Sequence, residues 1–331
     1  MSYQSEVDVV GIGNAIVDVL SHAEEAFLDE HNLVKGSMTL IDAKRAEQLY
    51  AKMGHCIEMS GGSAANTMAG IASLGGSGTY VGKVANDQLG DIFRHDLRAA
   101  GLAFDTEPSL EGSPTARCLI VVTPDAQRTM NTFLGACTEL SPRDIHSDEI
   151  QRGKITYLEG YLWDPPKAQE AFVKAARLAH EANREVSLSL SDQFCVDRHR
   201  ESFLELVEHH IDVLFANETE ILSLFQTDSF DDAVRQIRGK CKVAALTRSE
   251  KGSVVVHGDG TEEIAAEPVD AVVDATGAGD LYAAGFLHGY AQGRSLAECG
   301  RMGSVAAAEV ITHDGARPER SLATLMASKV G

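Results

Sequence analysis

A glycine-rich segment near the carboxyl end carries the residues best suited to chemistry. It reads DATGAGD over residues 274–280 and precedes an apolar helical stretch. Small residues before a helix let the N–H groups of Gly277, Ala278 and Gly279 converge where the helix dipole favours an anion. A carboxylate there repels a stored phosphate, but it suits a base that takes a proton from an attacking hydroxyl. The segment predicts phosphoryl transfer with Asp280 as general base; the structural alternative is an acid that only stabilises its helix.

A second glycine-rich turn precedes another predicted helix. It reads SGGSAAN over residues 60–66. Glycine at 62 permits close backbone approach, while Ser63 and Asn66 can form hydrogen bonds with hydroxyls of a polar ligand. Gly62, Ser63 and Asn66 are therefore candidate substrate-binding residues. The structural alternative is a serine-capped helix after a flexible turn.

The segment NETE follows a predicted strand and opens a helix. Its Asn217 and Glu220 are three residues apart, so one helical turn directs both side chains to the same place. An amide and a carboxylate there can order water around Mg²⁺ bound to a nucleotide. The alternative is a capping box, with Asn217 as N-cap and Glu220 at the third helical position.

The first predicted strand leads into GIGNAIVD over residues 11–18. This segment departs from the dinucleotide-binding GxGxxG motif because Ile16 replaces the third glycine, and no acidic residue ends a second strand about 20 residues on. An NAD-dependent oxidoreductase is therefore disfavoured. Asn14 and Asp18 are instead predicted to bind hydroxyls of a substrate.

Taken in order, the four segments resemble those of the PfkB-type (ribokinase-like) carbohydrate and nucleoside kinases, and the resemblance covers almost the whole chain. It implies one kinase domain over residues 1–331, an α/β three-layer αβα sandwich with a mainly parallel central sheet and a small β-sheet lid. It also implies Asp280 as catalytic base and ATP with Mg²⁺ as phosphoryl donor. The residues assigned to the ATP–Mg²⁺ site are Asn217, Glu220 (to Mg²⁺ through water), Thr247 and Gly252.

Within this family the segments look most like those of adenosine kinases. The similar stretches are GNAIVD, GGS, LSLS with Phe194 beyond it, and VLFANETE. This likeness implies that Asn14 and Asp18 hold ribose hydroxyls, that Gly62 and Ser63 line the sugar, and that Arg128 on the lid meets the phosphates. DATGAGD stands where adenosine kinases have DTNGAGD. Leu162 and Trp163 fall where an aromatic partner for adenine is expected, so Trp163 is a secondary candidate for the base pocket.

The implied reaction is ATP-dependent phosphorylation of the 5′-hydroxyl of a ribonucleoside, with adenosine to AMP favoured, a step of purine salvage. The alternative within the family is a sugar kinase acting on ribose, fructose or another small sugar. A non-catalytic sugar-binding homologue would keep the glycine turns and lose Asp280. The likeness also implies a candidate K⁺ site at Asp274 and carbonyls of residues 312–315. The oligomeric state is left open between monomer and homodimer.

Short β-branched runs alternate with helical stretches, which predicts an α/β fold with a mainly parallel sheet. Strands are predicted at 7–12, 79–82, 155–160, 186–190, 213–216, 243–247 and 253–257. Helices are predicted at 64–74, 88–100, 166–183, 202–210, 280–292 and 296–310. Alternating stretches around 14–41 and 113–135 break this order, with hairpin-turn residues at 124–127. They predict the small lid sheet.

The amino-acid composition indicates which kinds of molecule this chain can bind. The 331 residues contain 29 Lys plus Arg against 49 Asp plus Glu, a formal net charge of −20. Such a chain repels nucleic acid and anionic lipid, so the expected partners are small molecules. No apolar run approaches the roughly 20 residues of a bilayer span, and the opening MSYQSEVD lacks a signal-peptide pattern. Six dispersed cysteines suit reduced thiols, so a cytoplasmic protein is expected.

Overall fold

The computed structural model describes residues 6–125, 127–258 and 260–330. Residues 1–5 of the opening segment and Ala126 of the predicted hairpin turn lie outside these ranges. The strands of the described residues are β1 (Val7–Ile12), β2 (Ile16–His22), β3 (Met38–Leu40), β4 (Ile57–Gly61), β5 (Gly78–Val81), β6 (Ala116–Val122), β7 (Arg128–Phe133), β8 (Gly153–Glu159), β9 (Glu185–Ser189), β10 (Val213–Asn217), β11 (Val243–Thr247), β12 (Ser253–His257) and β13 (Gly260–Ile264).

The helices lie between these strands and after them. They are α1 (Glu25–Glu30), α2 (Ala43–Tyr50), α3 (Ser63–Ser73), α4 (Gln88–Ala99), α5 (Ser147–Arg152), α6 (Pro166–Glu181), α7 (Gln193–His210), α8 (Glu218–Phe225), α9 (Phe230–Ile237), α10 (Ala278–Ala291), α11 (Leu296–Val310) and α12 (Leu322–Lys329). Across the described residues, none of the helices combines the length and the apolar character that crossing a membrane requires.

The larger sheet has eight strands in the order β13-β12-β11-β10-β9-β8-β1-β5. The six strands from β11 to β5 run parallel, while β12 and β13 are antiparallel and complete one edge. Along β10, Val213 and Phe215 pack on one face with α3, α4, α10, α11 and α12. Leu214 and Ala216 pack on the other face with α5 to α9. Because strand side chains alternate between two cores, the chain has three layers, and the predicted α/β fold is confirmed.

The smaller sheet has five strands in the order β3-β7-β6-β2-β4 and forms the lid. Strands β6 and β7 are the antiparallel pair expected from the alternating stretch after residue 113. The predicted lid boundary was wrong at the first segment, because β4 pairs with β2 and continues the lid to Gly61. Strand β4 has only five residues, IEMSG, with its first three side chains at least partly exposed, so it lacks the apolar run that signals a strand.

Helix α7 is longer than the sequence pattern indicated. It begins at Gln193, nine residues before the predicted start, and the Asp192 side chain caps it by accepting from the Cys195 N–H. His199 has non-helical dihedral angles, and the helix kinks there. The kink interrupts the 3.6-residue apolar period, which explains why only the second half was predicted.

All six cysteines lie in the described residues, and all are free thiols. Burial raises the pKa of every one of them, and for four it does so to about 12. These four are Cys118, Cys195, Cys241 and Cys299. The thiols are therefore packed, protonated side chains of the folded protein.

Candidate functional site

A cavity of about 1040 Å³ lies between the lid and the carboxyl ends of the central parallel strands. This edge is where open α/β sheets bind ligands. The cavity gathers all but two of the predicted site residues. Those lining it are Asn14, Asp18, Gly62, Ser63, Asn66, Arg128, Asn217, Glu220, Thr247, Gly277, Ala278, Gly279 and Asp280.

Asp280 lies in the first turn of α10 and contacts the first turn of α3. Ser63 Oγ donates to Asp280 Oδ1 at 2.6 Å, and Asn66 Nδ2 donates to Oδ2 at 3.1 Å. Burial raises the pKa of Asp280 to about 6, although both hydrogen bonds act in the opposite direction. The side chain is therefore a carboxylate at neutral pH, held in a fixed orientation, with a pKa suited to accepting a proton.

The turn before α10 presents free backbone donors to the cavity. Gly277 has a φ of +81°, and a Cβ there would come within 2.7 Å of Ala316 Cα, so the position requires glycine. In the part of the chain that the structure describes, the N–H groups of Gly277, Gly279 and Asp280 have no acceptor. The Ala278 N–H makes a long 3.3 Å hydrogen bond to Ala275 O, so it is less available to a ligand than the other three N–H groups. The turn can bind an anion.

Asp18 projects from the lid strand β2 into the cavity. Its carboxylate packs against Gly61, where a side chain would collide with it. Burial raises the pKa of Asp18 to about 6, while the charges of Arg317 and Arg128 lower it. Within the described ranges, no hydrogen-bond donor reaches this carboxylate. It is free to accept hydrogen bonds from substrate hydroxyls.

Asn14 is held by Glu159, a buried carboxylate that the sequence analysis missed. Asn14 Nδ2 donates to Glu159 Oε1 at 2.6 Å, and the Ala64 N–H donates to Oε2 at 2.8 Å. Tyr80 fixes the Asn14 backbone by donating from its hydroxyl to the carbonyl oxygen at 2.9 Å. Burial raises the pKa of Glu159 to about 7. The available signal was its place next to the end of a predicted parallel strand.

Asn217 and Glu220 form the capping box that the sequence left as the alternative. The Asn217 N–H donates to Glu220 Oε2, and its amide donates to Oε1. Burial raises the pKa of Glu220 to about 7. Both residues also line the cavity, beside Thr247, which is paired with Asn217 in the sheet register. Each Glu220 oxygen accepts one internal bond and keeps a lone pair, so the residue fits contact with Mg²⁺ through water.

Gly252 lies outside the cavity, in the tight turn before β12. Its φ is +84°, and a Cβ there would collide with Ile264 O. Turn geometry alone therefore accounts for this glycine. The assignment of Gly252 to the nucleotide site receives no support from its position.

Arg128 of the lid pairs with Asp274 at the base of the α10 turn. Arg128 Nη1 lies 2.6 Å from Asp274 Oδ2, with the two side chains 12% and 9% exposed. Oδ2 also accepts from the Gly315 N–H, and Oδ1 accepts from the N–H and hydroxyl of Thr276. Burial opposes these contacts, but together they lower the pKa of Asp274. The four acceptor positions are filled, so K⁺ fits at Asp274 only after Arg128 has left.

Trp163 does not contribute to a base pocket, contrary to the secondary prediction. It is 4% exposed, stacks on Phe203 with ring centroids 5.8 Å apart, and donates from Nε1 to Ser202 Oγ at 2.9 Å. Leu162 is likewise buried. The aromatic side chains that line the cavity are instead Tyr161 and Phe194, which have some of their surface open to solvent, and the more deeply buried Phe215 and Tyr282.

Comparison with known proteins decides the family. Residues 29–322 match the model of the pfkB family carbohydrate kinases. The chain belongs to this family. The expected family, fold and enzyme class are thereby confirmed: it is a kinase that transfers a phosphoryl group to an alcohol. Membership implies ATP as a substrate, generally with Mg²⁺.

Similar proteins include two kinases of known structure and a yeast adenosine kinase. The adenosine kinase of Sinorhizobium meliloti is 53% identical, with a TM-score of 0.90 over 99% of this chain and 100% of that one. A probable sugar kinase of Rhizobium etli CFN 42 is 51% identical, with a TM-score of 0.91 over 98% and 99%. The adenosine kinase of Saccharomyces cerevisiae is 27% identical, over 93% of this chain and 95% of its own.

The turn before α10 predicts a stability difference between two neighbouring glycines. Gly277→Ala should lower the free energy of unfolding by about 1–3 kcal/mol, because alanine is strained at positive φ and its Cβ collides with Ala316. Gly279→Ala is the matched control, since a Cβ there meets no atom within 4 Å. Denaturant unfolding monitored by circular dichroism measures both. Equal stabilities would contradict the strain assigned to Gly277.

Proposed function

We propose that this kinase transfers the γ-phosphoryl group of ATP to the 5′-hydroxyl of a ribonucleoside, with adenosine as substrate and AMP as product. The observation that carries the proposal is that two carboxylates, Asp18 and Asp280, line the same cavity. Asp18 on the lid side has no hydrogen-bond donor among the described residues, and Asp280 lies beside the free N–H groups of the α10 turn. The first carboxylate suits vicinal hydroxyls, and the second suits the hydroxyl that reacts.

In the proposed mechanism, Asp280 accepts the proton of the 5′-hydroxyl as its oxygen attacks the γ-phosphorus. The bond from that phosphorus to the β,γ-bridging oxygen breaks, so ADP leaves and the proton remains on Asp280 until solvent takes it. Ser63 and Asn66 hold the carboxylate in place. The N–H groups of Gly277 and Gly279, with a smaller contribution from Ala278, stabilise charge on the transferring phosphoryl oxygens.

The nucleotide is proposed to lie along the ends of β10 and β11, where Asn217, Glu220 and Thr247 line the cavity. Mg²⁺ bound with ATP would supply positive charge against the phosphates. Glu220 would contact it through water, using the lone pairs left free by the capping box. Glu220 is buried, so this water-mediated contact would be shielded from bulk solvent.

The cavity favours a nucleoside over a free sugar because its lining includes apolar side chains besides the hydroxyl-binding residues. These side chains are Leu40, Met130, Leu134, Tyr161 and Phe194. A flat base can cover such a surface, whereas a small sugar would leave it in water. The likeness to the S. meliloti adenosine kinase supports the same substrate. The alternative is a sugar kinase acting on ribose, fructose or another small sugar, which the R. etli relative supports.

Substrate preference is tested by ATP consumption with adenosine, 2′-deoxyadenosine, inosine, guanosine, ribose and fructose. We expect adenosine to be used best, and about 10- to 100-fold better than 2′-deoxyadenosine, because a missing hydroxyl leaves the buried Asp18 unpaired. Asp18→Ala should lower kcat/KM for adenosine strongly and remove this discrimination. Phosphorylation of a free sugar with no activity on adenosine would refute the nucleoside proposal and favour the sugar-kinase alternative.

Removal of the proposed base should slow the reaction without weakening nucleotide binding. Asp280→Asn is expected to lower kcat by about 10²–10⁴-fold, the usual contribution of general-base catalysis. Since the pKa of Asp280 is raised to about 6, the wild-type kcat should also fall as the pH drops below that value and the base protonates. Initial rates across the pH range and calorimetric ATP binding measure these effects. Near-normal turnover in Asp280→Asn would rule out this base.

Arg128 is proposed to move from Asp274 to the phosphates when nucleotide binds. Arg128→Ala should therefore depress kcat more than it raises the KM for the nucleoside, because the guanidinium acts on charge that develops during transfer. Arg128→Lys keeps the charge but loses the planar fork, so it should recover only part of the rate. A change confined to the KM for ATP would place Arg128 in the nucleotide site instead.

The same movement would free Asp274 Oδ2 for a monovalent cation. A K⁺ requirement in the wild type, measured against a buffer containing only a bulky organic cation, is therefore expected to accompany the role of Arg128. Equal rates in the two buffers would remove the K⁺ site from the proposal while leaving the phosphoryl-transfer residues in place.

A further inference from the structure

Three successive residues of the loop after α11 contact the active site. The Gly315 N–H donates to Asp274 Oδ2 at 3.0 Å, and Ala316 packs against Gly277. Arg317 follows, and its Nε donates to Asn66 Oδ1 at 3.4 Å. The first two contacts support the turn itself. The third reaches across to the residue that orients Asp280, and neither the motifs nor the family comparison assigns Arg317 a role.

Asn66 connects Arg317 to the proposed base. Asn66 is 6% exposed, with Oδ1 accepting from Arg317 and Nδ2 donating to Asp280 Oδ2 at 3.1 Å. An asparagine amide can present either its oxygen or its nitrogen to a neighbour. A donor fixed at Oδ1 admits only the orientation in which Nδ2 faces the carboxylate. Without that donor, the flipped amide would place an oxygen against Asp280.

We propose that Arg317 is a positioning residue for phosphoryl transfer: it fixes the Asn66 amide so that an N–H, and not the carbonyl oxygen, faces Asp280. This inference rests on the proposed role of Asp280 as base. The guanidinium suits the task because its planar donors are rigid. Its Nη2 is buried and has no partner in the described structure, so this end of the side chain is shielded from solvent.

Arg317 also supplies positive charge to the lid side of the cavity. Burial lowers the pKa of Arg317, and the nearby negative charges of Asp18 and Asp96 oppose that effect. The charge of Arg317 in turn acts to lower the pKa of Asp18, against the larger effect of burial. The charges of Arg128 and Asp280 also act on Asp18, and Asp280 interacts with the charge of Glu159. Arg317 therefore has two separable effects, one directional through Asn66 and one electrostatic on Asp18.

A double-mutant cycle between Arg317 and Asn66 tests the directional effect. Arg317→Met and Asn66→Ala should each lower kcat about tenfold, since the first leaves the Asn66 amide without its fixed orientation and the second removes that donor to the carboxylate. The double variant should lose little more than either single variant, because both act through one amide. The KM for ATP should stay constant. In Arg317→Met the acidic limb of the kcat profile should move to higher pH, because the carboxylate loses its donor.

Arg317→Lys separates the two effects and covers the case in which the methionine variant does not fold. It keeps the charge near Asp18, so the KM for the nucleoside should remain near wild type. It lacks the planar fork, so kcat should still fall and couple to Asn66. Arg320→Met is the matched control, because Arg320 is an exposed arginine of the same loop and its kcat and melting temperature should be unchanged.

Multiplicative losses in the double variant, about 100-fold in kcat where each single variant loses about tenfold, would overturn the inference. So would wild-type kcat in both Arg317→Met and Arg317→Lys. The assay of Asp280→Asn distinguishes these failures from a failure of the proposed function. If Asp280→Asn abolishes turnover while the cycle is multiplicative, only the role of Arg317 falls; if Asp280→Asn is active, the base assignment falls first.

Discussion

The arrangement of the site depends on the first turn of α3, which donates hydrogen bonds to two buried carboxylates from different parts of the chain. Its Ala64 N–H binds Glu159 at the end of β8, while the Ser63 and Asn66 side chains bind Asp280 on α10. A buried carboxylate without such donors would protonate or destabilise the fold. Because one helical turn satisfies both groups, the sheet, α3 and α10 must meet in a single geometry. Asp18 is left without a donor and is available to a ligand.

Much of the fold and of this site could be predicted from the sequence because local signals coincide with tertiary roles. The parallel strands are continuous apolar runs, and Asp280, Ser63 and Asn66 stand beside glycines that mark turns. Glu159 escaped because it is a lone carboxylate at the end of an apolar strand, where only the sheet reveals that it faces α3. Arg317 lies 251 residues from Asn66 along the chain, so no spacing argument could connect them.

Packing alone accounts for two residues that were predicted to belong to binding sites. The Trp163 indole fills a core between helices, and Gly252 fits a tight turn. The Asn217–Glu220 pair shows the opposite outcome, since a capping box and a place in the cavity are compatible. A residue type that serves local structure is thus ambiguous until the neighbouring elements are known.

The protonated cysteine thiols affect how the protein reacts with oxidants and electrophiles. Electrophiles and peroxides attack thiolates, and all six thiols have a raised pKa. Even Cys118, which lines the cavity and accepts a hydrogen bond from Thr132 Oγ1, remains protonated. Oxidants should therefore react with these cysteines more slowly than with the low-pKa thiolates of cysteine-dependent enzymes.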